Sequence, residues 1–174
     1  MINNFYLDNM KALKMTLILT LISIGVLAQT FEVPENYKLE NSIDYDTYEN
    51  DVINCVDWLM KTPLNEQIEK RKEANAFLFK WISGSTKVHI EVKQEIVTFM
   101  DAPELLMIFI GTWAKHSIES KDFNNRIDGT MTGVESVIDF YTKNKGLISK
   151  NKGVEKYIKM KEKGTLKEYV EKNA

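Results

Sequence analysis

Apolar residues recur at three- and four-residue spacing through most of the chain after residue 43, which is the pattern of helices that bury one face. The first stripe predicts a helix over about residues 44–61, and it consists of Tyr45, Tyr48, Val52, Cys55 or Val56, and Leu59. Thr62 and Pro63 end this helix and suit the N-cap and first position of a second one. The second helix is predicted over about 63–83, with a stripe of Ala74, Phe77, Leu78, Trp81 and Ile82.

Residues 88–100 fit two patterns. Val88, Ile90 and Val92 alternate with polar residues as in a strand. The same segment also fits one face of a helix, formed by Val88, Val92, Ile96, Phe99 and Met100. Because a lone strand would have no partner elsewhere in the chain, we expect a helix here.

The next helix is predicted to be the centre of the domain. Residues 101–104 have the sequence of a capping box, with Asp101 at its start and Glu104 at its end. The run that follows, residues 105–113, is apolar on every side, and a helix without a polar face belongs in the middle of a core. We expect this helix to reach about Ser120.

Two further helices and a short terminal one complete the pattern. Asp122 is the expected N-cap of a helix over about 123–144, in which Gly129 and Gly133 indicate the close approach of another helix backbone. A helix over about 152–164 should end at Gly164 in the C′ position. Residues 165–168 then have the sequence of a capping box for a last helix that ends near residue 172.

These elements predict an all-α fold, a compact bundle of about six mostly antiparallel helices. Residues 43–174 would form a single helical domain, and residues 29–42, which contain Pro34, would form an extended N-terminal arm. Hydrophobic residues make up 44% of the chain and charged residues 28%, the balance of an ordinary globular protein. We therefore expect the domain to fold without disulfides or a structural metal.

The N-terminal residues have the three parts of a secretory signal peptide. Lys11 and Lys14 precede the uncharged apolar run 16–28, and the run closes at Ala28 before the polar Gln29. A bilayer-spanning helix needs roughly 20 apolar residues, so the run is short for an anchor. We predict cleavage between Ala28 and Gln29, export to the periplasm or beyond the cell, and no stable membrane insertion after cleavage.

Other interpretations of this segment remain open. The run 16–28 could be kept as a membrane anchor or, less simply, buried as a core helix. Translation could begin at Met1 or at Met10, since the sequence after Met10 is the more ordinary start of a signal peptide. The residues around the predicted cleavage position, together with the lysine-rich helical body, resemble those of small exported proteins of Gram-negative bacteria, a resemblance that carries no functional residues.

Charge excludes one class of partner. The formal net charge of the chain is -2, from 23 basic and 25 acidic residues, which is not the electrostatic footprint of a dedicated nucleic-acid-binding protein. Residues 143–172 are rich in lysine and should present a local positive face. We interpret this face as a solubilising helix surface, although it could also attract an acidic partner or an anionic envelope surface.

Candidate chemistry is sparse. His116 and Glu119 share one helical face and could place two metal ligands together, but a metal site needs three or four ligands and no second such pair exists. Cys55 lies in an apolar stripe and should be a small core residue. We therefore expect no catalytic set, metal or cofactor. Five aromatic residues could line a ligand pocket if they converged at one end of the bundle, but at helical spacing we expect them to belong to the core. They are Trp58, Trp81, Trp113, Tyr141 and Tyr157.

The sequence favours an exported helical protein that acts as a non-catalytic binding or structural module of the cell envelope. Its partner would be a protein, a peptide or a small ligand, which the sequence does not identify. One alternative is an enzyme with a site around His116 and Glu119, which would need a cleft with at least two further polar groups. Another is a membrane-anchored structural protein that keeps the apolar run 16–28.

Overall fold

A computed structural model of the chain describes residues 31–174. The predicted signal peptide, its cleavage position between Ala28 and Gln29, and both possible starts, Met1 and Met10, lie outside the described residues. Seven helices are present in residues 31–174 and no strand, which confirms the predicted all-α class. They are α1 (Ser42–Thr47), α2 (Glu49–Lys61), α3 (Ile68–Gly84), α4 (Pro103–Ser120), α5 (Arg126–Lys143), α6 (Lys152–Glu162) and α7 (Leu166–Asn173).

Helix α4 is the central helix, as its apolar sequence predicted. It contacts α2, α3 and α5, and α5 in turn contacts α6 and α7. Its buried residues occupy every side of the helix. None of the helices within residues 31–174 is long and apolar enough to span a bilayer.

Gly129 and Gly133 allow the aromatic side chains of α4 to reach α5. A Cβ atom at Gly129 would lie 2.1 Å from Nε1 of Trp113, and one at Gly133 would lie 2.6 Å from a ring carbon of Phe109. The backbone of α4 is further away, with the Phe109 carbonyl oxygen 3.1 Å from the added atom at Gly133. The close approach is therefore made mainly by aromatic rings, whereas the sequence suggested a helix backbone.

The predicted helix over residues 88–100 is wrong. Residues 85–102 form an irregular connection with turns at 94–96 and 98–101. Ile96 and Val97 are both buried although they are neighbours, and the hydroxyl groups of Tyr157 and Tyr169 donate hydrogen bonds to backbone carbonyls in this segment. These contacts hold Glu95 and Ile96 to α6 and α7, so the carbonyl groups of these two residues are engaged by side chains and turns replace the predicted helix there.

The second helix begins later than predicted: α3 starts at Ile68 and not at Pro63. The buried guanidinium of Arg71 donates hydrogen bonds to the carbonyl oxygens of Leu59, Thr62 and Pro63. These carbonyls lie at the C-terminal end of α2 and in the following turn. Arg71 therefore fixes residues 62–67 as a turn where the sequence suggested an immediate helix start.

The predicted helix over 44–61 is two helices, which meet at Tyr48. Asn41 caps α1, and its side chain and that of Asp44 form a reciprocal capping box. The Asn41 side chain accepts a hydrogen bond from the Asp44 N–H, and the Asp44 side chain accepts one from the Asn41 N–H, so the start of α1 is well defined. The break at Tyr48 lets that ring pack edge-to-face against Phe77, with ring centroids 6.3 Å apart.

Helix caps differ from the predicted ones at two further places. Asp101 caps no helix and instead accepts a 3.0 Å hydrogen bond from the Asn151 side chain, which leaves Ala102 at the start of α4. Asn125 caps α5 where Asp122 was expected.

The C-terminal helices keep one predicted cap and lose another. Thr165 precedes α7 but makes no side-chain cap. Gly164 is correctly predicted, since its φ of 71° and the bonds from residues 164 and 165 back to Lys161 and Met160 form a Schellman motif.

Residues 31–41 have neither helix nor strand and lie over the helices. Phe31 is buried and its ring lies 6.3 Å from that of Trp58. Tyr37 meets Phe77 edge-to-face at 5.0 Å. Aromatic packing therefore attaches this segment to α2 and α3.

Candidate functional site

A groove with a volume of about 630 Å³ lies between the C-terminal half of α3 and residues 85–92. We call it the α3 groove. Its apolar lining comes from α3, the connection and α4, and consists of Phe79, Ile82, Val88, Ile90, Val92 and Ile110. Polar residues also line it, namely Ser83, Ser85, His89, Glu91 and Arg126. This volume and mixture are typical of ligand-binding clefts.

One wall of the α3 groove is a single face of α3. Phe79, Ile82 and Ser83 follow one another at helical spacing and so lie side by side. Phe79 is 58% exposed, an unusual position for a large aromatic residue on a helix whose other face fills the core. Val92, on the opposite wall, is 45% exposed. Together they leave apolar surface uncovered on both sides of the groove.

The opposite wall is the connection that follows α3. The Ser85 hydroxyl accepts hydrogen bonds from the backbone N–H groups of Lys87 and Val88, at 3.3 and 3.1 Å, which turns the chain back along α3. Further along, Glu91 accepts a 2.7 Å hydrogen bond from the Arg126 guanidinium at the start of α5. These two contacts hold residues 86–92 at both ends.

A second, smaller groove of about 250 Å³ contains His116 and Glu119, and we call it the His116 groove. It lies where α2, α4 and α5 meet. The residues that accompany the two predicted site residues are Val56, Asp57, Met60, Thr112, Lys115, Thr132 and Ser136. The cleft with at least two further polar groups that an enzymatic site would require is therefore present.

The charges of the His116 groove satisfy one another. The Lys115 ammonium forms an ion pair with Asp57 and lies 3.6 Å from the Glu119 carboxylate. Asp57 also lies 3.8 Å from the ammonium of Lys61. The His116 ring makes no hydrogen bond within residues 31–174, whereas the general base of a catalytic triad is oriented by a hydrogen bond to a third group.

No group of three or more potential metal ligands of the His, Cys, Asp or Glu type comes together in residues 31–174. Cys55, as expected, is fully buried, and its thiol lies 3.5 Å from the Ala74 carbonyl oxygen. Burial raises the pKa of this thiol far above its usual range, which removes the thiolate that a nucleophile needs.

The aromatic candidates belong to the core. Each is at least 94% buried, and the set comprises Trp58, Trp81, Trp113, Tyr141 and Tyr157. Several use their polar atoms to hold the fold together: the indole N–H of Trp81, for example, donates to the Tyr45 carbonyl at 2.9 Å. None of them lines the α3 groove.

Sequence reasoning missed the α3 groove. Phe79 lies outside the apolar stripe of its helix. Val88, Ile90 and Val92 alternate with polar residues as in a strand, although a helix is predicted there. These two signals together would have indicated an exposed apolar helix face beside a strand-like segment. The groove itself depends on how the connection folds back along α3, which no local pattern specifies.

A scan against protein-family models and searches of curated proteins and of solved structures return no match for this chain.

Proposed function

We propose that the protein is a non-catalytic binding module of the cell envelope that takes a partner peptide in the α3 groove. The observation that supports this proposal is the uncovered apolar surface on both walls of the groove, at Phe79 and Val92. Burying one such side chain in a complex contributes about 1.5–3 kcal/mol. The groove is open to solvent, which suits a peptide better than a small enclosed ligand.

The polar groups around the α3 groove favour binding over catalysis. Arg126 and Glu91 neutralise each other, and Glu91 also lies 4.0 Å from the Lys93 ammonium. His89 is exposed and has no hydrogen-bond partner among residues 31–174. A nucleophile with an oriented base is not assembled among the described residues of this groove.

Fluorescence anisotropy with labelled synthetic peptides tests the proposal. The peptides would have about eight residues, alternating leucine, valine or phenylalanine with serine, and an aspartate–serine peptide would serve as the control ligand. We expect the apolar peptides to bind and the aspartate–serine peptide not to bind. Phe79→Asp or Val92→Asp should weaken binding at least about tenfold.

Ile43→Asp provides the matched control variant. Ile43 is 73% exposed and lies outside the α3 groove, so this change adds the same charge to an exposed apolar position elsewhere. We expect it to leave peptide affinity unchanged. Equal losses in all three variants, or no binding of any apolar peptide, would contradict the proposal.

The envelope location is part of the same proposal and rests on the sequence of the first 29 residues. Intact mass spectrometry of the protein purified from the envelope fraction of its own host tests it. We expect a mass that begins at Gln29. A mass that retains the apolar run 16–28 in the membrane fraction would favour the anchored structural protein, and recovery only from the cytoplasm would contradict export.

The His116 groove supports a second candidate function, an enzyme in which His116 acts with neighbouring polar groups. The specific observation is that Ser136, Thr132 and Glu119 line the same groove as His116. A broad panel of hydrolase substrates tests it, with His116→Gln beside the unchanged chain. Turnover that is lost in His116→Gln would support the enzyme, whereas absence of turnover in both agrees with a binding module.

A further inference from the structure

Residues 88–92 resemble an unpaired edge strand. They are not part of any helix or turn, and their burial alternates at the start, since Val88 is buried, His89 is exposed and Ile90 is half-buried. We propose that the α3 groove binds its peptide as an added β-strand along residues 88–92. This inference rests on the proposed function and specifies how the peptide is held.

The lining of the groove locates the edge of this segment. Val88, His89, Ile90, Glu91 and Val92 are consecutive, and all five line the α3 groove. In a straight segment successive side chains point to opposite sides, so the part that all five residues can present to one groove is the edge of their main chain. That edge faces the apolar surface of α3 across the groove.

The backbone along this edge has unused hydrogen-bonding groups. Within residues 31–174, no N–H group from His89 to Val92 donates a hydrogen bond to the protein, and no carbonyl from Thr86 to Val92 accepts one. By contrast, the next carbonyl, that of Lys93, accepts bonds from Ile96 and Val97. In an extended segment alternate N–H groups point to the same side, so two of these four donors can pair with an extended peptide that lies in the groove.

Contacts at both ends anchor the segment and involve only one of its backbone groups, the Val88 N–H, which donates to the Ser85 hydroxyl. Ser85 holds the segment at its start through its hydroxyl, and the Arg126–Glu91 pair holds it near its end through side chains. Val88 is only 3% exposed and fixes the segment to the core. The segment is therefore pre-organised, which reduces the entropy lost when a peptide pairs with it.

The geometry specifies the chemistry of the peptide. Five paired residues span roughly 15 Å, so the recognised segment is extended and about five residues long. Alternate side chains would face Phe79 and Ile82 and should be large and apolar, while the others face solvent. Since main-chain bonds supply part of the affinity, many sequences with this alternation should bind.

An N-methyl scan of the leucine–serine peptide tests the inference without changing the protein. N-methylation removes one backbone N–H donor at a time. We expect methylation at every second residue to weaken binding about fivefold or more and methylation at the residues between to have little effect. A peptide that tolerates every N-methyl group and loses affinity only when its leucines are replaced by serine would overturn the strand pairing.

Hydrogen exchange of the backbone amides gives an independent measurement. On addition of the leucine–serine peptide to the full chain, we expect alternate amides among residues 89–92 to exchange at least about tenfold more slowly. Protection of these amides that grows with protein concentration in the absence of peptide would overturn the inference, because a second copy of the chain would then occupy the edge.

The two proposals fail in different ways. If Phe79→Asp lowers the peptide affinity but no N-methyl group does, the α3 groove remains the proposed peptide site and the strand pairing is contradicted. Absence of peptide binding with a folded chain removes both. A period-two loss in the N-methyl scan, together with sensitivity to Phe79→Asp, supports both.

Discussion

Arg71 is a buried cation whose partners are carbonyl groups. It is 8% exposed, it donates to the end of α2, and its guanidinium lies 5.6 Å from the ring centre of Trp58 and 5.9 Å from that of Phe140. The carbonyl groups at a helix C-terminus carry partial negative charge, which compensates the guanidinium. Its Nε atom is buried without a partner among the described residues, so this compensation is incomplete.

We expect Arg71→Met to lower the free energy of unfolding by about 2–4 kcal/mol, because the carbonyl groups of Leu59 and Thr62 would lose their hydrogen-bond donor. Denaturant titration measures the change. Lys72→Met is the control, since Lys72 is exposed and forms only a surface ion pair with Glu69. Equal stabilities of Arg71→Met and the unchanged chain would show that solvent replaces the lost bonds.

Tyr157 connects pH to stability. Burial raises the pKa of its hydroxyl, which donates a 2.5 Å hydrogen bond to the Ile96 carbonyl. A raised pKa in the folded state means that the unfolded chain ionises first as pH rises. The stability associated with the neutral hydroxyl is therefore fully present below about pH 10 and is lost above it.

We expect Tyr157→Phe to reduce the loss of stability above about pH 10, at the expense of about 1 kcal/mol at neutral pH from the missing hydrogen bond. Part of the alkaline loss should remain, because burial also raises the pKa of Tyr141. Thermal unfolding between pH 7 and pH 11 measures both effects. An alkaline loss as steep in Tyr157→Phe as in the unchanged chain would contradict this assignment.

At the scale of elements, the interior of each long helix followed from its apolar stripe, but the ends did not. The start of α3 depends on Arg71, which donates hydrogen bonds to carbonyl groups at and after the end of α2. The start of α4 depends on Asn151, which donates to the Asp101 carboxylate that was expected to cap α4. The first contact joins residues 9 positions apart in the sequence and the second joins residues 50 positions apart, so neither lies within one turn of a helix. Local sequence does not contain such contacts, so neither helix start was predicted correctly.

The same reason explains the missed groove. Residues 88–100 match a helical pattern locally, but the hydroxyl groups of Tyr157 and Tyr169 come from α6 and α7 and hold the main chain in another form. His116 and Glu119 were found because both lie on one helix. Their companions Asp57 and Ser136 lie on α2 and α5 and could not be placed beside them from spacing alone.

The contact between α4 and α5 makes a prediction at this scale. Gly129→Ala gains about 1 kcal/mol of helix propensity but places a Cβ atom 2.1 Å from the Trp113 indole. Overpacking of a core typically costs 1–3 kcal/mol, and the indole is held by the surrounding core. We therefore expect a net decrease in melting temperature.

Thr142→Ala is the control for this change, since Thr142 is exposed on the same helix. It should gain helix propensity without a clash and so raise the melting temperature slightly or leave it unchanged. If Gly129→Ala were as stable as Thr142→Ala, the indole would have room to move, and the two glycines would not be required for close packing.

At the scale of the whole molecule, the two grooves lie beside different helices and carry different chemistry. The His116 groove is rich in charges that pair with one another, including Lys115 with Asp57. The α3 groove has uncovered apolar surface and a main-chain edge without partners among the described residues. A peptide that occupies the α3 groove should therefore perturb the residues of that groove and leave the His116 groove unchanged.

Chemical-shift mapping of the isotope-labelled protein during titration with the leucine–serine peptide tests this claim most directly. We expect the largest amide shifts at residues 79–83, 88–92, Ile110 and Arg126, with residues 112–119 unchanged. Shifts centred on His116 and Ser136, with residues 88–92 unaffected, would contradict the account and place the binding site in the His116 groove.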